Sequence, residues 1–97
     1  MYDSNLTHEE REKFIRLCQA AQASVRAGNL TEARLYYRVA VQLHPYSSSV
    51  WLALAKIAST VADQQVALEN VLSINPRHPE ARQLLADLMT SGGSSPA

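Results

Sequence analysis

Three histidines, one cysteine and nine carboxylates are the side chains through which this chain could do chemistry. His44 and His78 each stand before a proline, His44-Pro45 and His78-Pro79, in equivalent loop-adjacent places. Two imidazoles are the beginning of a metal site, but zinc asks for three or four protein ligands and no third lies nearby in sequence. Both read instead as helix-end histidines, meeting terminal carbonyls or solvent. His8, Glu9 and Glu12 have the donors for a cation, yet a solvated acidic first turn of a helix accounts for all three. Cys18 has no base beside it in sequence and is read as a packing or groove thiol. As the only cysteine it has no disulfide partner within the chain. No glycine-rich phosphate loop and no Ser/His/Asp arrangement is present. The expectation is a protein that is not an enzyme and holds no metal and no cofactor.

Aromatic side chains suggest a different chemistry. Tyr36, Tyr37, Tyr46 and Trp51 have the flat faces on which nucleic-acid bases stack. Their helical spacing instead suits an interface between two helical hairpins. Nine Lys and Arg balance nine Asp and Glu, so the formal charge is zero and no basic excess exists for a phosphate backbone. No apolar run approaches the length of a membrane span, and the start is unlike a signal peptide. A soluble protein in a reducing compartment, the cytoplasm by default, is expected, with no membrane and no nucleic-acid partner. The composition is 46% apolar but only 6% aromatic. Much of the apolar share is alanine, which favours helices in close approach over a sheet sandwich.

The elements that must position these residues follow from periodicity and caps. Thr7 with Glu10 is a capping-box pair, followed by Phe14, Leu17, Cys18, Ala21 and Val25 at helical steps. Gly28-Asn29 stops that helix, and Asn29 with Glu32 caps the next. Ala33, Tyr36, Tyr37, Ala40, Val41 and His44 share one side of the second helix, and Pro45 closes it. Ser47 or Ser48 caps a third helix with the stripe Trp51, Leu54, Ala55, Ala58. Ser59 or Thr60 caps a fourth, marked by Val61, Gln64, Leu68, Val71 and Leu72. Pro79 and Glu80 open a fifth, whose stripe is Ala81, Leu84, Leu85, Leu88, Met89, and Gly92-Gly93 ends it. The predicted helices run over about 8–27, 31–44, 47–58, 61–74 and 79–90. They form one all-α domain over 7–91, between a flexible N-terminus at 1–6 and a flexible tail at 92–97.

These helices repeat. Ala33-x3-Tyr37-x2-Ala40-x4-Pro45 is a second-helix signature, echoed by Gln64, Leu68, Val71 and Pro76. Trp51-x2-Leu54-Ala55-x2-Ala58 is a first-helix signature, preceded by Leu17, Ala20, Ala21, Ser24 and followed by Arg82, Leu85, Ala86, Met89. The step from Ala21 to Ala55 is 34 residues, and from Ala55 to Ala86 it is 31. Between about residues 8 and 90 the chain resembles the tetratricopeptide repeat family. Its second unit is three residues short, with Ser59-Thr60 where a glycine turn is usual, and looks like a truncated bacterial-type variant. The resemblance implies an α-α superhelix, a solenoid of two helix–turn–helix repeats plus a C-terminal capping helix. Arg82, at a position where a further repeat would want a large apolar residue, supports that ending.

The family binds peptides or a partner's helix in the groove lined by its first helices. Helical spacing then puts Ile15, Cys18, Gln22 and Arg26 of the first helix on that concave face. Ser49, Leu52, Ala53 and Lys56 of the third follow, with Glu80, Gln83 and Asp87 of the fifth. The family's carboxylate-clamp positions hold Cys18, Gln22, Ala53, Glu80 and Leu84 here, which does not support a chaperone-tail function. The resemblance implies a protein or peptide partner and a monomer or weak homodimer. The leading expectation is a non-enzymatic interaction module. The alternatives are homo-oligomerisation through Phe14, Val25 and Tyr36 on the outer face of the first hairpin, and helical-repeat RNA binding.

Overall fold

A computed structural model describes residues 6–94 of the chain. Five α-helices follow one another: α1 His8–Arg26, α2 Leu30–Leu43, α3 Ser48–Lys56, α4 Val61–Ile74 and α5 Pro79–Ser94. Every helix starts where a side chain takes up an orphan backbone N–H. Thr7 and Glu10 close a full capping box, with the Glu10 N–H donating to Thr7 Oγ1 at 3.0 Å and the Thr7 N–H to Glu10 Oε1 at 2.9 Å. Asn29, Ser47 and Thr60 do the same for α2, α3 and α4, accepting from the N–H groups of Glu32, Val50 and Asp63. For α5 the acceptor is His78 Nδ1, 3.1 Å from the Ala81 nitrogen. His78 therefore caps the start of a helix rather than meeting carbonyls at its end. His44 also has a packing partner: its ring lies edge-to-face on Phe14 at 5.2 Å, tying the end of α2 to α1.

Between α1 and α2 the chain turns at Gly28, whose φ of +81° lies in the left-handed region. The Asn29 N–H reaches back to the Ser24 carbonyl at 2.8 Å and closes the turn. Below it the Ser24 hydroxyl, itself buried, donates to Glu32 Oε1 at 2.8 Å, so the loop is locked from inside.

Small residues set the separation of the helices. Ala21, Ala33, Ala40 and Ala81 are fully buried and Ala55 nearly so, and they stand where helices approach each other. α1 packs on α2, α3 on α4, α2 on α3 and α4 on α5, which makes two hairpins and a closing helix. Leu68 and Val71 of α4 are the largest fully buried side chains. Tyr37 belongs to the same interior, and Trp51 packs against it while its indole N–H donates to the Pro45 carbonyl at 2.8 Å. The aromatic residues near Pro45 thus join the first hairpin to the second.

Several details depart from the sequence reading. α3 is only nine residues long and ends at Lys56, because Ile57 leaves the helix in place of Ala58. Val61 and Met89 are 62% and 59% exposed, outside the stripes that periodicity assigned them, while Val50 and Ala67 take buried places. Phe14, Val25 and Tyr36 are half-buried and packed against the core. α5 continues through Gly92-Gly93 to Ser94. Glycine weakens a helix interior by about 1 kcal/mol without forbidding it, and a stop requires a left-handed turn that the pair does not supply here. Residues 1–5 of the expected flexible N-terminus and 95–97 of the expected tail lie outside the described residues; Leu6 is half-buried.

Candidate functional site

A hollow of about 280 Å³ opens between α1 and α3, with α2 beneath it. Val25, Tyr37, Ala53 and Ile57 give it an apolar floor, and Gln22, Arg26 and Lys56 stand at its edge. Helix geometry explains the grouping. Gln22 and Arg26 are one turn apart on α1, as Ala53 and Lys56 are on α3, so each helix presents one row of side chains to the gap. The gap persists because Ala53 contributes only a methyl group where two helices face each other.

Lys56 reaches across to α5 and pairs with Glu80, Nζ to Oε2 at 2.7 Å. Both side chains are half exposed, so the pair adds little stability. Its effect is positional, holding the ammonium over the rim and linking α3 to α5. The Arg26 guanidinium stands exposed on the opposite rim. Two cations therefore flank an apolar floor.

Of the residues expected on this face, Gln22, Arg26 and Lys56 come together at the hollow. Ile15 is 47% exposed further along α1, and Ser49 is exposed one turn before Ala53. Cys18 and Leu52 are half-buried and pack against the core, and neither lines the hollow. Burial raises the Cys18 thiol above its ordinary value, which favours the protonated form near neutrality. Tyr37 is raised as well, first by burial and then by charge on Cys18. Gln83 lies elsewhere, donating to Asp87 Oδ1 at 2.8 Å beside a separate shallow depression formed with Arg77 and Arg82. Val25 and Ile57 belong to the floor, though periodicity assigns Val25 to packing and does not single out Ile57. Their half-burial is the signal that one side of each still meets solvent.

Among the described residues no group of three or more His, Cys, Asp or Glu is placed to hold a metal ion. No described helix is long and apolar enough to cross a membrane.

Residues 16–57 match the model of the tetratricopeptide repeat family, and that stretch contains every residue lining the hollow. This stretch is tetratricopeptide-like. The matched stretch runs from mid-α1 through α2 to the end of α3, so it covers one full repeat and the helix that stacks on it. Paired helices stacked in series are the helical-repeat architecture of that family. Repeats of this kind mediate protein–protein interaction and are typically not enzymes. A comparison with curated proteins returned no match.

Proposed function

We propose that the protein is a non-enzymatic interaction module, working in the cytoplasm, that holds a peptide or a partner's helix on its concave face. The observation that carries this reading is the hollow between α1 and α3. It has an apolar floor, a cationic rim and a position inside the repeat-matching segment. One apolar side chain of the partner would sit over Ala53 and Tyr37. Gln22, Arg26 and Lys56 would meet polar or acidic groups beside it, with Ile15, Ser49 and Gln83 extending the contact at either end. Cys18 and Leu52 support the floor from within.

Ala53→Arg tests the reading, since a long charged side chain fills the hollow from its wall. Affinity capture from the source cell should recover a protein with the native chain and lose it with Ala53→Arg, while both chains keep the same helical circular dichroism. A partner recovered equally by both would remove the hollow from the account.

A further inference from the structure

We propose that the opposite side of the array carries a second docking groove, between α2 and α4, suited to an acidic segment of another protein with apolar side chains. The groove has a volume of about 340 Å³ and lies over Val41, Trp51, Leu54 and Ala67. That is the lower end of the range for ligand pockets, room for one or two large side chains rather than a whole cofactor. It shares none of its lining with the hollow between α1 and α3.

Its electrostatics are those of a cationic wall in a neutral chain. Arg34 and Arg38 stand one turn apart on α2 and line the same side. Arg34 is fixed: its guanidinium donates to the Ile57 carbonyl at 2.5 Å and to Thr31 Oγ1 at 3.3 Å. Arg38 is exposed and has no hydrogen bond or ion pair among the described residues, leaving its planar fork available to a carboxylate. Across the groove stands a single acid, Asp63. Two guanidinium groups against one carboxylate favour an anionic visitor.

The shoulders of the groove are apolar where a solvated helix face would be polar. Leu35 and Val39 on α2 are 58% and 41% exposed, and Val66 on α4 is 54% exposed. By helical position Leu35 and Val39 lie together on one side of Arg38, away from the core, so the cation stands at the border between the groove and an exposed apolar pair. An apolar floor and an exposed apolar pair with guanidinium groups beside them fit a partner that offers leucine-like side chains with a carboxylate beside them. A nucleic acid would need a longer basic stripe than two arginines. The groove extends to Ala58, two residues beyond the end of α3.

The test is a titration of the full chain with a capped tetrapeptide of two leucines flanked by glutamates, and with its counterpart carrying lysines instead. Trp51, the only tryptophan, reports by fluorescence, and amide NMR shifts locate the contact. The acidic peptide should shift Arg38, Val66 and Trp51 saturably, the lysine peptide should not, and Arg38→Glu should weaken binding by about tenfold or more. Arg38→Glu alters an exposed, unpartnered side chain, and Arg38→Gln serves as a second variant if it disturbs folding. Arg26→Glu, on the other face, should leave this binding unchanged. The proposal is overturned if both peptides bind alike, or if the shifts gather around Gln22 and Lys56. It is equally overturned if Arg38→Glu and Arg38→Gln both retain affinity, if single-stranded RNA occupies the groove in the peptide's place, or if the groove proves to be the contact between two copies of this chain. Loss of the concave-face partner in Ala53→Arg bears on none of these outcomes.

Discussion

At Gly28 the backbone turns with φ near +81°, and nothing lies within 4 Å of where a Cβ would be. The constraint on this residue is conformational rather than steric. Gly28→Ala should cost about 1–2 kcal/mol, the penalty for an L-residue in the left-handed region, as read by urea denaturation. An unchanged midpoint would mean the turn tolerates another conformation. Cys18 and Tyr37 make a second residue-scale statement. Both are held neutral by burial, and charge on Cys18 adds to the upward shift of Tyr37. A group whose folded value is raised contributes stability that is complete below its unfolded value and is lost as pH rises through the folded one. The melting temperature should therefore hold between pH 7 and 8 and fall from about pH 9 upward. Cys18→Ser with Tyr37→Phe should flatten that fall, and an unaltered alkaline slope in the double variant would assign it elsewhere. Sequence made the buried role of Tyr37 readable because it sits in a spaced signature with Ala33 and Ala40. It did not reveal that Cys18 and Leu52 pack against the core and leave the hollow unlined, since a residue at the edge of a stripe changes sides with a small rotation of its helix.

The starts of α1 to α4 were legible residue by residue, because a hydroxyl or amide three positions before a free N–H is a local, short-range signal, whereas the imidazole cap of α5 was not. Ends were less so. α3 ends two residues short of the expected boundary, and just past its end the Ile57 carbonyl accepts from the Arg34 guanidinium of α2. That contact spans 23 residues, and no local pattern announces it. Arg34→Ala should cost about 1–2 kcal/mol by leaving the Ile57 carbonyl poorly satisfied, measured by chemical denaturation. Arg34→Lys should recover part of this loss, and no loss in either variant would show that solvent serves the carbonyl equally well. α5 is the other test at this scale. Ala81, fully buried, and Leu84, Leu85 and Leu88, packed on the core, come from it alone. A chain ended before Pro79 should melt lower by roughly 10 °C or more, or associate through the uncovered face of α4. A melting temperature equal to the full chain's would deny α5 its closing role.

Across the whole molecule, two hairpins and a closing helix leave two separate hollows, one on each side of the stack. The repeat signatures made the order and pairing of helices legible, since 34- and 31-residue steps require successive units to stack in series. They placed Gln22, Arg26 and Lys56 together on one face. They did not expose the groove between α2 and α4, because its arginine pair lies on the face that repeat signatures leave unspecified. The account's central claim is that the face shared by α1 and α3 receives a protein partner. The most direct measurement is photo-crosslinking in the source cell from a benzophenone side chain placed at Gln22, compared with the same group at Ala23 on the outward side of α1. The account predicts a discrete protein adduct from position 22 that disappears when Ala53→Arg is added, and none from position 23. Equal adducts from both positions, or an adduct at 22 that survives Ala53→Arg, would contradict it.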